Sequence, residues 1–270
     1  MTNPLSEYNG RLAIVTGAGD GIGKMLAMKF ADAGMTVCVQ DIREDAAAAV
    51  ASEIGGNAFP LGFDVSEHDQ CFEAAETLAR RDEPLCMLWV NAGVGVGAKM
   101  TEGSRNAIEW GVAVNIVSPI WTVRAFKPLM RPGEAPAHIG FTASVASLLA
   151  AEEDYPFYAV TKHGTFAVAE AIGAEVGHEG ITSTILCPGL LNTNIWDGAR
   201  ARPDRFGGEK RMDSNIAEHW RQAKTPDVMW THIEQVVSNG GGYLVCATED
   251  DTLTRFKARA EDIGKAFVRI

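Results

Sequence analysis

Short apolar or β-branched runs alternate along the chain with longer amphipathic or alanine-rich stretches. The runs at Leu12–Thr16, Thr36–Gln40, Ala58–Gly62, Met87–Val90, His138–Thr142, Ser183–Cys187 and Tyr243–Cys246 predict strands. Between them, Ile22–Ala33, Asp45–Ile54, Glu67–Arg80, Arg105–Met130, Phe157–His178 and Asp227–Val237 predict helices. Several strand runs are apolar throughout rather than alternating, as in a sheet covered on both faces. Strand and helix in repeated alternation predict an α/β fold: a doubly wound parallel sheet of about seven strands, with helices on both faces.

No Pro/Gly/Ser linker interrupts this alternation, so residues 1–270 are expected to form one domain. The stretch from Leu190 to Lys224 departs from it. It carries Arg200, Arg202, Arg205, Lys210 and Arg211 with Trp196, Phe206 and Trp220 among them. A long excursion after a sheet strand reads as a substrate loop.

The first strand runs into Thr16-Gly-Ala-Gly-Asp-Gly-Ile-Gly23 and then a helix. Glycines there let the backbone approach a diphosphate, and the helix start offers unpaired N–H groups and a positive dipole end. The spacing Gly17-x-x-x-Gly21-x-Gly23 resembles that of the classical short-chain dehydrogenase/reductase family. The resemblance implies a single Rossmann-type domain and a nicotinamide dinucleotide held by Gly17, Asp20, Gly21, Ile22 and Gly23. Asp41 ends the second strand, where a carboxylate can accept the adenosine ribose hydroxyls and would repel a 2′-phosphate. A plain helix cap is the alternative reading of Asp41. Asp20 stands where family members using the phosphorylated cofactor often carry a cation, and Arg43 is the only cation nearby in sequence. The combination favours NAD as cofactor. Asp64-Val65 follows the third strand, where the family's Asp meets the adenine; a plain helix N-cap is the alternative reading of Asp64. Asn91-Ala-Gly93 resembles the family's N-N-A-G with Val90 in place of the first Asn, giving Asn91 a structural role and Gly93 a cofactor-facing one.

Tyr158-Ala-Val-Thr-Lys162 places a phenol and an ammonium one helical turn apart on one face. An ordinary tyrosine near 10 is a poor acid–base group at neutral pH, and the neighbouring ammonium, with the positive nicotinamide of the oxidised cofactor, is expected to lower it. Taken with this pair, Ser144 matches the family's substrate-bonding serine, one residue further upstream of Tyr158 than usual; Ser147 is the weaker candidate. Asn115 matches the helix asparagine that supports a proton path to the lysine. Cys187-Pro-Gly-Leu-Leu-Asn-Thr193 resembles the segment that fixes the nicotinamide face, through Pro188, Gly189, Leu191 and Thr193. The motifs that carry the resemblance run in order from Arg11 to about Thr193. The chain departs from the family in its C-terminal part, where Gly240-Gly-Gly-Tyr-Leu-Val-Cys-Ala247 and a charged helix replace the usual Thr-Gly turn.

The formal net charge of −11 disfavours nucleic acid and anionic membranes as partners, since both need a basic surface. Five scattered cysteines without a C-x-x-C pair read as reduced thiols, and His163 and His178 as surface residues. No His/Cys/carboxylate cluster has metal spacing, so no metal is expected. Met1–Arg11 is polar and no apolar run approaches the length of a membrane span, which gives a cytoplasmic expectation. The expected activity is NAD-dependent interconversion of a secondary alcohol and its ketone, in a homodimer or homotetramer packed on the helices of Asn115 and Tyr158. The alternatives are an NADPH ketoreductase, opposed by Asp20 and Asp41, and a catalytically silent NAD sensor, opposed by the intact set of Asn115, Ser144, Tyr158 and Lys162.

Overall fold

In the computed structural model, which describes residues 4–151, 155–210, 218 and 220–268, seven strands form one parallel sheet. They are β1 (Leu12–Val15), β2 (Thr36–Asp41), β3 (Ala58–Gly62), β4 (Leu85–Val90), β5 (His138–Thr142), β6 (Thr182–Pro188) and β7 (Gly241–Cys246). Their order is β3-β2-β1-β4-β5-β6-β7. The order reverses between β1 and β4, which opens a crevice at the carboxyl ends of those strands, the place where such sheets bind ligands.

The period-2 alternation of a strand explains the two cores. Leu12 and Ile14 of β1 point to one face, with Val123, Phe126, Ala169 and Val176. Ala13 and Val15 point to the other, with Met25, Phe30, Val50 and Ile233. The central strands β1, β4 and β5 are buried at every position. Edge strands differ: β3 tolerates Pro60 because its outer side has no ladder partner, and β7 leaves Tyr243 and Val245 exposed. Of the cysteines, all free, Cys38, Cys71, Cys86 and Cys187 are buried, while Cys246 on edge strand β7 is only half-buried.

The helices are α1 (Gly21–Asp32), α2 (Glu44–Ile54), α3 (His68–Ala79), α4 (Arg105–Val112), α5 (Ser118–Phe126), α6 (Pro156–Gly177), α7 (Trp230–Ser238) and α8 (Thr252–Lys265). The single helix expected over Arg105–Met130 is divided. A π turn at Ala113–Val117 separates α4 from α5, and a 3-10 turn at Lys127–Leu129 follows. A π turn displaces carbonyls from the regular ladder. Here side chains take them up: Thr165 Oγ1 donates to the Asn115 carbonyl at 2.7 Å, and Ser118 Oγ to that of Val114 at 2.6 Å. His178 is exposed as expected, but His163 is half-buried. Its Nδ1–H donates back to the Ala159 carbonyl at 2.9 Å. No helix among the described residues is long and apolar enough to cross a membrane.

The stretch from Leu190 to Lys224 leaves and returns at one point, where Asn192 N–H donates to the Lys224 carbonyl at 2.9 Å. Within it, 3-10 turns cover Ile195–Ala201 and Asp204–Phe206. Ala199 and Phe206 pack on Val96, Ala98, Trp110, Val114 and Phe157. Arg211 and residues 212–217 and 219 of this stretch lie outside the described residues, as do residues 152–154, part of the Leu148–Phe157 stretch over which the extra residue before Tyr158 is expected.

Candidate active site

A cavity of about 660 Å³ opens at the crevice, lined at one end by Gly17, Gly21 and Asp41 and at the other by Ser144, Tyr158 and Trp196. The glycine turn at its floor requires glycine for contact reasons. Gly17 has φ +62°, and a Cβ there would sit 2.8 Å from the Ala92 Cα; one on Gly23 would sit 2.2 Å from the Gly17 carbonyl oxygen. Asn91 braces this turn. Its amide donates to the carbonyls of Thr16 and Gly17 at 3.0 and 3.2 Å, while Thr16 Oγ1 accepts from the N–H groups of Asn91 and Ala92. Gln40, which the sequence did not single out, holds it from the other side by accepting from Gly17 N–H at 3.1 Å.

Asp41 is buried and accepts from Gly19 N–H at 3.0 Å and from Arg43 N–H at 2.9 Å. It does not cap α2, whose N-cap is Arg43. Asp20 caps α1, its Oδ1 accepting from Gly21 N–H at 2.6 Å. Asp64 closes a turn on Ser66, and Val65 lies beside it against the cavity. The three carboxylates each face an arginine: Arg200 Nη2 lies 2.8 Å from Asp20, Arg43 Nε 3.7 Å from Asp41, and Arg205 Nη2 2.8 Å from Asp64. Arg43 is therefore not the only cation here. Two more arrive from the stretch after β6, and nothing in the local sequence signals them.

At the other end, Ser144 follows β5 and Tyr158 stands in the first turn of α6, its ring half-buried against the cavity. Ser144 and Tyr158 both line the cavity wall; Ser144 Oγ accepts from Ala146 N–H at 3.1 Å and donates to the Pro188 carbonyl at 3.5 Å. Ser147 turns away, donating to the Lys162 carbonyl at 2.8 Å. Lys162 is buried, and its ammonium donates to the Thr142 carbonyl at 3.0 Å, 5.9 Å from the centre of the Tyr158 ring. Burial dominates both groups. It pushes the phenol up to about 12, against the lowering effect of Ser144. It brings the ammonium down to about 8. The lowering of Tyr158 expected from its lysine is thus absent in the polypeptide alone, because desolvation of a phenolate outweighs a cation that is turned toward a carbonyl.

Asn115 sits in the π turn and is locked by three side-chain bonds: to the N–H and carbonyl of Val94, both 2.9 Å, and to Thr161 Oγ1, also 2.9 Å. Its side chain is fully engaged in joining α4, α6 and the segment after β4. Gly93 lies beside Lys162 on the cavity wall. Pro188, Gly189, Leu191 and Thr193 complete that wall, with Thr193 set against Gly21. Trp196 and Trp220 line the cavity with Val94, Val96, Trp110 and Leu149. Phe206 instead packs beneath it. No group of three or more potential metal ligands occurs among the described residues.

The residues present suit a dinucleotide. The glycine turn leaves room for a diphosphate at the start of α1, Asp41 stands at the end of β2, and one cavity joins them to Tyr158.

A family model described as short chain dehydrogenase matches residues 11–204. Among curated proteins, "Probable oxidoreductase EphD" of Mycobacterium bovis is 29% identical over 195 residues, which is 71% of this chain and 33% of that protein. The chain thus spans about a third of that relative's length. Among solved structures, a short chain dehydrogenase/reductase from Burkholderia phymatum in complex with NAD is 28% identical with a TM-score of 0.87, covering 98% of both chains. A structure from Beutenbergia cavernae with bound NADP is 27% identical with a TM-score of 0.74, covering 93% of this chain and 99% of that one.

Proposed function

Because this chain belongs to the short-chain dehydrogenase/reductase family, we propose that it interconverts a secondary alcohol and its ketone in one catalytic domain, with NAD as its cofactor. The observation that carries this reading is that Ser144, Tyr158 and Lys162 line one cavity with the glycine turn and Asp41, with the Lys162 ammonium buried behind it. When bound, the cofactor supplies or accepts the hydride.

The protein's own part is positioning and proton transfer. The Ser144 hydroxyl orients the substrate oxygen beside Tyr158. In ketone reduction, the Tyr158 hydroxyl gives its proton to that oxygen as the alcohol forms. In oxidation, the Tyr158 phenolate oxygen accepts the proton from the substrate hydroxyl. With the phenol pushed up to about 12, the polypeptide alone keeps that proton in place at neutral pH. Positive charge brought to this end of the cavity opposes the burial effect and favours the phenolate, as oxidation requires. Lys162 keeps most of its charge at neutral pH and fixes the end of β5 against α6.

NAD is favoured over NADP by Asp41, whose buried carboxylate is fixed at the end of β2 with the Arg43 guanidinium 3.7 Å away. The cavity walls of Val94, Val96, Trp110, Leu149, Trp196 and Trp220 suit an apolar or aromatic substrate. A cytoplasmic homodimer or homotetramer packed on α4, α5 and α6 belongs to the same reading. Incubating the protein with secondary alcohols, aryl ones, steroids and hydroxy acids among them, and following NAD reduction is the direct test. Turnover supports the reading. Binding of NADH without any turnover across the series would favour a cofactor sensor instead.

A further inference from the structure

Asp20 occupies an awkward place for a phosphate site. Its carboxylate caps α1 in the middle of the glycine turn, where an anion approaching the helix start meets a like charge. A guanidinium from the stretch after β6 answers that charge. Arg200 Nη2 lies 2.8 Å from Asp20 Oδ2 and is itself held by the carbonyls of Asn194 at 3.1 Å and Asp197 at 3.3 Å. Asn194 adds a second donor, its amide reaching the same Asp20 oxygen at 2.6 Å. Arg200 is mostly shielded, with 20% of its side chain exposed, and both it and Asp20 line the cavity. The next turn of the same segment is fastened to the nucleotide end as well: Arg205 contacts Asp64, Ser66 and Glu67 at 2.7–2.8 Å. Arg200 is thus presented to the glycine turn by a segment anchored on both sides of it.

We infer that Arg200 neutralises Asp20 and thereby sets the affinity of the glycine turn for the cofactor's diphosphate, so that the segment lining the substrate cavity also determines cofactor binding. This rests on the dehydrogenase reading above. Without the guanidinium, Asp20 would confront the diphosphate unscreened; with it, the Asp20 carboxylate is answered at 2.8 Å, the Asp197 carboxylate lying further off on the same guanidinium at 3.8 Å. By linkage, a bound diphosphate stabilises the docked segment by the same free energy that the docked segment lends to binding.

The test is a pair of variants and their combination, titrated with ADP-ribose by isothermal calorimetry, a ligand that carries the diphosphate and lacks the nicotinamide. R200Q is expected to bind about tenfold more weakly than the parent, with the loss shrinking at about 0.5 M salt as the charges are screened. R200K should retain most of the affinity. D20N keeps a capping oxygen while removing the charge, so D20N/R200Q should regain most of what R200Q loses. An R200Q variant that binds like the parent, or a double variant no tighter than R200Q, overturns the inference. Thermal denaturation of each variant separates a folding defect from a binding one. If the parent protein itself binds neither ADP-ribose nor NADH, it is the dehydrogenase reading that fails.

Discussion

Lys162 donates its ammonium proton to the Thr142 carbonyl at 3.0 Å, which ties α6 to the last residue of β5. The contact lies deep in the protein, and burial of the ammonium brings the amine down to about 8. The Tyr158 phenol and the Ser144 hydroxyl line the same cavity wall. Tyr158→Phe should therefore lose at least about 100-fold in turnover while NADH binding and stability stay near those of the parent. Phe keeps the ring and removes only the group that moves the proton. Steady-state kinetics beside a fluorescence titration checks this. Normal turnover in Tyr158→Phe would shift attention to Tyr155, which also lines the cavity.

Lys162→Met should lower activity as well and move the pH dependence of the residual oxidation upward. Removing a buried cation makes the phenolate harder to form nearby. A rate–pH profile of the variant, read in the oxidation direction, tests the sign. An unshifted profile would mean that the lysine acts only as the brace seen at Thr142.

NAD should be preferred over NADP. Bringing a 2′-phosphate against the Asp41 carboxylate costs on the order of 1–4 kcal/mol at a site of this kind. Asp41→Ala should narrow the preference, but it should weaken NAD too, because the carboxylate also receives Gly19 N–H and holds the glycine turn. The ratio of kcat/KM for the two cofactors, measured in parent and variant, decides it. Equal efficiencies in the parent would refute the preference.

Residues 195–208 should gain protection from hydrogen exchange when cofactor and substrate are both bound. The segment is long, interrupted by Gly198, Gly207 and Gly208, and held to the nucleotide end by two ion pairs, Arg200–Asp20 and Arg205–Asp64. Equal exchange with and without ligands would show that it stands closed throughout.

His138 makes stability depend on acid. It is fully buried in β5 beside Trp89, its Nδ1 2.8 Å from Thr182 Oγ1, and burial drives it from 6.5 down to about 3. A base whose folded value is depressed resists protonation in the native state. Its contribution is complete above the unfolded value of 6.5 and is lost as pH falls from there toward about 3. At the low end the loss is up to about 5 kcal/mol. Urea denaturation across that range should show a steeper fall for the parent than for His138→Asn, which can keep a bond to Thr182 without titrating.

Much of the fold was legible because its signals are local. Continuous apolar runs mark strands covered on both faces, and the glycine turn after β1 is marked by contacts within the turn and against Asn91. Tyr158 and Lys162 share a helix face by their four-residue spacing alone. Other features depend on chain segments distant in sequence. The helix over Arg105–Met130 has nothing local to announce a π turn at Asn115; that turn is supported by Thr165, fifty positions on. The direction of the Tyr158 shift could not follow from a neighbouring lysine, because desolvation and the Thr142 carbonyl belong to the packed interior. Asp20 reads from sequence as an acid in a phosphate turn, and only the folded chain brings Arg200 to it across 180 positions. Period, spacing and backbone contact act over a few residues and can be read along the chain. Charge pairing and burial depend on which distant side chains share a space, and the tertiary structure alone decides that.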